Sequence, residues 1–213
     1  MKKLYIILFI LITLSTFSGT FRVKAENMFG SDKYYVLKGN AEIKKDNITI
    51  NTNEATISLV DDDWRNLESL NTKIKTDTFE ASSNKIKFDM KTEKGVLNGK
   101  VITIIKVDDS SLSIYCDSMN IDNKNKKYSG ISDTLIEIYK DDYIIKTKKF
   151  EYNETSKKLI LTGDVNIKND VKKMSMKSQK AIFNTDTNEV TGENVSITLK
   201  IKDEEKNNTQ DTK

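Results

Sequence analysis

Tyr143–Tyr152 reads YIIKTKKFEY, with apolar or small side chains at offsets 0, 2, 4, 7 and 9. The steps of two are the period of a β-strand, whose side chains alternate between faces. The step of three between Thr147 and Phe150 shifts that phase by one residue. A bulge or tight corner there returns the second half to the same interior. Four other stretches carry the same pattern: ITINTNEATI from Ile48, FEASSNKIKF from Phe79, LSIYCDSMNI from Leu112 and MSMKSQKAIF from Met174. Successive starts lie 31, 33, 31 and 31 residues apart.

The connections repeat too. DMKTEKGVLNG, DNKNKKYSG, NETSKKLILTG and NTDTNEVTG each pass through turn residues and end on a glycine, at Gly99, Gly130, Gly163 and Gly192. Gly39, in LKGNAEI, precedes the first unit in the same way. Such glycines suit a bulge or a close strand approach. The link VDDDWRNLESLNTKIKT lacks one. Trp64, Leu67 and Leu70 fit a short helical turn or an irregular strand and loop, and the immediate start of the next unit favours the latter. Each unit should supply two or three short strands. None can bury its apolar face alone, so stacked units build one continuous interior that ends in exposed edge strands. The expected fold is all-β, an open β-jelly-roll or β-taco built from short antiparallel strands. A closed barrel or conventional sandwich is the alternative. Tyr34–Leu37 and Val195–Ile201 are the expected edges.

The chain opens MKKLYIILFILITLSTFSGTFRVKAEN. Two lysines, an apolar run from Leu4 to about Phe17 and a small-residue site at Val23-Lys24-Ala25 read as a signal peptide over residues 1–25. An uncleaved anchor is the alternative. Residues 26–202 form the expected domain, and residues 203–213, without apolar pattern, an expected disordered tail. The net charge of +3 comes from the leader: Lys2, Lys3, Arg22 and Lys24 are its only charges, and without them the charge is −1. No basic block or aromatic–basic interleaving favours nucleic acid.

The 213 residues contain no His, no Pro, one Cys and one Trp. The commonest general base and metal ligand is therefore missing. Asp61–Asp63, Asp108 with Asp109, and Asp141 with Asp142 fall at expected turns. Adjacent strand residues point to opposite faces, unlike the opposed carboxyls of a glycosidase. Cys116 has no His to activate it and occupies the small offset-4 position held by Thr or Ser in the other copies. No catalytic residue, metal ligand or cofactor site is assigned. The apolar stripe reads as the core of a structural or adhesive repeat module at least as readily as the lining of a lipid groove, where each buried CH₂ contributes about 0.8 kcal/mol.

KGNAEI, NEATISL, SNKIKFD, LNGKVIT, LTGDVNI, SQKAIFN and VTGENVSI, in that order from about Lys38 to Leu199, resemble the OstA-like, or LptA, family of lipopolysaccharide transport. The resemblance implies an open β-jelly-roll around an apolar groove for acyl chains, in the periplasm and without catalysis. It implies lipopolysaccharide as ligand, LptC-like inner-membrane and LptD-like outer-membrane components as partners, and head-to-tail association through edge strands. Ile50, Phe79, Phe88, Ile114, Ile145, Phe150, Phe183 and Ile197 are the groove candidates. A membrane-tethered LptC-like partner and a structural envelope module without ligand are the competing readings.

Overall fold

The computed structural model describes residues 20–201. The apolar run and the C-terminal tail lie outside them. The described chain is all strand and turn. Its strands are β1 (Arg22–Lys24), β2 (Asn27–Gly30), β3 (Tyr34–Lys45), β4 (Ile48–Val60), β5 (Asp63–Lys75), β6 (Phe79–Asp89) and β7 (Lys94–Val107). They continue with β8 (Ser110–Asp122), β9 (Lys127–Lys140), β10 (Tyr143–Asn153), β11 (Lys158–Asn169), β12 (Met174–Asn184), β13 (Val190–Glu193) and β14 (Ser196–Leu199).

Successive strands pair antiparallel in one meander from β3 to β12. Each end carries a split strand: β1 and β2 both pair with β3, while β13 and β14 both pair with β12. The two ends do not pair with each other, so the sheet is neither a closed barrel nor two separate sheets.

Four of the five repeats begin at the first residue of β4, β6, β10 and β12, and the third begins two residues into β8. Each is one long strand bent in the middle, rather than two short ones. The pairing register of β10 with both neighbours shifts at the bend, between Lys146 and Lys149 on one side and Thr147 and Lys149 on the other. Bending folds the sheet into two facing arms. Of the 25 patterned side chains, all except Met174 are buried, and Met174 is half-buried.

A side chain fastens each bend. The offset-4 residue donates to the backbone carbonyl two positions on: Thr52 to Glu54 at 3.0 Å, Ser83 to Lys85 at 3.0 Å, and Thr147 to Lys149 at 3.0 Å. Ser178 reaches Lys180 at 2.6 Å, and the Cys116 thiol reaches Ser118 at 3.4 Å. A corner leaves that carbonyl outside the ladder, and a short donor satisfies it. Offset 4 is thus small and a donor, not merely small.

The glycines divide into two kinds. Gly39, Gly99 and Gly163 have φ of 76°, 75° and 80° and turn the corners of β3, β7 and β11. Gly130 instead seats a ring: a Cβ there would collide with the Phe150 ring. The link around Trp64 is neither helix nor loop but the regular strand β5. Asn71, at φ 49°, takes the corner that glycine takes elsewhere. Asparagine tolerates this region better than other side chains. Leu67 and Leu70 both precede this corner, and ordinary strand alternation turns Leu67 inward and leaves Leu70 exposed.

The N-terminal edge lies upstream of Tyr34–Leu37, which is in the second rank. Short apolar pieces at Val23 and Met28–Phe29 pair with β3 and cover it. The C-terminal edge is β14 within the expected segment, joined by β13.

Candidate functional site

The inward faces of both arms form one apolar interior running from β3 to β12. Ile50, Phe79, Phe88, Ile114, Ile145, Phe150 and Phe183 all lie within it, each at most 1% exposed. Ile197 does not join them. It pairs with Met176 on the last strand and is 55% exposed. Edge-to-face contacts tie the two arms together, with ring centroids 5.6 Å apart for Phe79–Tyr128 and 5.1 Å for Tyr143–Phe183. Tyr128 also stacks on Tyr152 at 6.2 Å. Burial raises the Tyr128 hydroxyl above its usual pKa, and its neighbour Glu154 adds to the shift. The interior therefore holds neutral phenols at physiological pH.

The two ends of this interior differ. At the N-terminal end, Phe21, Val23, Met28, Tyr35, Leu37, Ile57 and Trp64 line an apolar cavity of about 210 Å³. Tyr35 and Trp64 pack over it with centroids 4.9 Å apart. At the C-terminal end, Ile197 and Leu199 stand opposite Met176 and Met174 and face solvent. A larger dish of about 720 Å³ crosses the outer face, between Lys87, Val96, Asn120, Ser129, Glu151 and Ile160. Of the eight nominated residues only Phe88 borders it. Ion pairs such as Lys87–Glu68 at 2.9 Å and Lys94–Asp122 at 3.3 Å occupy its surroundings. Its rim is charged, while most of its exposed lining is apolar, with Val96, Ile121 and Ile160 among the residues that form it.

The long side of the interior is a seam where two rows of turns meet. Lys45 pairs with Glu93 at 3.0 Å, and their side chains are only 11% and 13% exposed. Lys157 pairs with Asp108 at 3.0 Å. Asn188 donates to Asp141 at 3.1 Å. Asp141 also accepts from the buried Lys140 at 2.5 Å. That ammonium, aided by Asn188, holds its carboxyl below the usual range. Asp61, Asp62, Asp108 and Asp141 sit at hairpin turns with φ of 49–59°. The acidic clusters are therefore turn residues, and two of them close the seam. Sequence reasoning missed this. The signal was present as Lys, Asp or Asn recurring 47 to 49 residues from a turn partner.

Cys116 is buried, and desolvation followed by the neighbouring Asp117 pushes its thiol up to about 12. It is no thiolate nucleophile near neutral pH. Among the described residues no three His, Cys, Asp or Glu side chains gather as a metal site. No described helix is long and apolar enough to cross a membrane.

Residues 22–127 match the family model of the LptA/(LptD N-terminal domain) LPS transport proteins. The matched region begins at β1 and takes in the first three repeats. The chain belongs to this LptA-like family, whose members are transport proteins rather than enzymes. Among solved structures it resembles LptH of Pseudomonas aeruginosa, described as the LptA-homologous periplasmic component of the lipopolysaccharide transport device. That likeness has 9% identity and covers 86% of this chain and 96% of the other, at a TM-score of 0.26. So loose a superposition carries no residue correspondence. A search of curated proteins finds no match.

Proposed function

We propose that this chain is a periplasmic carrier in lipopolysaccharide transport, holding acyl chains between its two arms while the head group stays near water. The observation that carries the reading is the uninterrupted apolar interior, ten strands long, in a member of this family. An alternating sheet gives an apolar inner face and a wet outer one, as an amphipathic cargo requires. Ile50, Phe79, Phe88, Ile114, Ile145, Phe150 and Phe183 are the proposed acyl-facing residues, with Ile197 at the open C-terminal mouth. LptC-like and LptD-like components are the proposed partners. The split edge strands offer backbone donors and acceptors for joining them or further copies of this chain. Transfer along such a bridge needs no chemistry from the chain itself.

The test is in-cell photocrosslinking from Ile145, with the outward, half-buried Ile144 as control. Lipopolysaccharide captured at Ile145 and not at Ile144 is the expected result. Equal capture, or none in a folded and exported protein, would leave a structural envelope module. The leader gives a second reading, a membrane-tethered partner of the same pathway. It predicts that the exported protein sediments with inner membranes and keeps residues 1–19, which intact-mass measurement reads directly.

A further inference from the structure

We infer that the seam between the two rows of turns is where acyl chains pass into the interior, with Lys45–Glu93, Asp108–Lys157 and Asp141–Asn188 as its latch. This rests on the reading of the interior as an acyl-chain site. It adds the route and the residues that guard it.

The interior is shut along its length, since its nominated side chains between β4 and β12 are at most 1% exposed. A chain arriving from the side must part something. Between neighbouring strands it would have to break a backbone ladder. Across the seam it would not. Among the described residues, no backbone–backbone hydrogen bond joins the two rows of turns. Non-adjacent strands nowhere bring Cα atoms within 8 Å. Only side chains cross: the three latch contacts, and a long Thr78–Tyr128 hydroxyl contact at 3.5 Å.

The crossings also repeat. Their partners are 48, 49, 47 and 50 residues apart, so one turn row is offset from the other by a constant step. The Asp108 carboxylate is 60% exposed, and an ion pair that reaches solvent in this way is weak and exchanges readily with water, whereas Lys45–Glu93, at 11% and 13%, is the more buried end of the latch. Below them lie the Phe79–Tyr128 and Tyr143–Phe183 edge contacts, which bridge the arms without fixing the backbone. Opening along this line exposes the apolar interior while leaving every strand pair intact. A cargo with a charged head and apolar tails meets lysines and carboxylates first and the aromatic rings beneath them.

The experiment stitches the seam in the full-length protein. In a Cys116→Ser background, Asp108→Cys and Lys157→Cys are joined after folding by a short bis-maleimide. Serine already occupies the equivalent bend position in two other copies. A control stitch joins Ser129→Cys to Glu151→Cys, cross-strand neighbours on the outer face. Uptake of purified lipopolysaccharide and of a fluorescent fatty acid is timed by stopped flow and bound lipid is quantified. The seam stitch should slow uptake by about tenfold or more, as a locked lid would. The control stitch should leave it unchanged. Asp108→Asn with Lys157→Gln, which unlatches the seam, should speed it. Uptake at the normal rate through a fully stitched seam overturns the inference while leaving lipid binding intact. Equal slowing by both stitches also overturns it. A parent protein that takes up neither probe overturns the lipid reading and this inference together. Melting curves confirm that each variant is folded.

Discussion

The two ends of the sheet are built alike and finished differently. Each edge is a strand broken in two: β1 and β2 lie along β3, while β13 and β14 lie along β12. At the N-terminal end Phe21, Val23 and Ala25 pack against the core, and Tyr35 and Trp64 roof a small apolar cavity. On the described C-terminal edge strands only Val190 packs there, and Ile197 and Leu199 are 55% and 66% exposed. Pairing supplies an edge strand with hydrogen bonds, but only a neighbour supplies burial. β14 has the first and lacks the second. The N-terminal edge is a finished wall, while the C-terminal edge presents unspent apolar surface of the kind that marks a contact site.

The largest expected effect belongs to neither end. Phe150 lies in mid-sheet with its ring seated over Gly130, and Phe150→Ala should cost about 3–5 kcal/mol, read by chemical denaturation. A loss below about 1 kcal/mol would mean the interior is slack enough to be an empty groove even without lipid. Next come the ends. A chain starting at Glu26 loses β1, and with it the packing of Phe21 and Val23. It should be less stable by about 2 kcal/mol than one starting at Thr20. A chain ending at Asn194 loses β14 and should fall by no more than about 1 kcal/mol. Equal losses would erase the contrast. The same comparison bears on the leader: cleavage after Ala25 would remove a strand that the folded sheet uses.

Bend donors should matter less. Thr147→Val keeps the shape, leaves the Lys149 carbonyl without its donor and should cost about 1 kcal/mol. Acid gives a graded test. Lys44 holds Glu42 below the usual carboxylate range, Lys146 holds Glu137 there, and Lys140 holds Asp141 there. A carboxyl whose folded pKa is depressed contributes stability above its unfolded value and loses it as pH falls through the folded one. Below about pH 4, hydrogen exchange should therefore quicken first in β3, in β9 and beside the β9–β10 turn, which bear these groups. The smallest effect is Ile197→Asp, which should change stability by no more than about 0.5 kcal/mol. A larger loss would show that the C-terminal mouth is covered in solution.

The repeat made most of this legible. A step of three inside a step of two gave the strand starts, the inward faces and the positions of the bends. It missed the continuity of each bent strand, because the same break in phase reads as a turn between two strands. It grouped Gly130 with Gly99 and Gly163, since sequence does not show whether a glycine is needed for its φ or for the ring across from it. It placed Ile197 with the interior because alternation reports which face a side chain takes, not whether anything lies beyond it. The link around Trp64, Leu67 and Leu70 read as an irregular strand and loop rather than a full strand for a related reason: Asn71 turned a corner where no glycine announced one.

By itself the sequence determined the strands, the side each residue takes and the family, because these depend on local period and on phrases a few residues long. The tertiary structure decided that the interior is shut, that one mouth is roofed and the other bare, and that turn residues some 48 positions apart meet along a seam. Those features depend on how far a bent sheet closes. That is set by the sum of many small bends and twists, and no short stretch of sequence contains the sum.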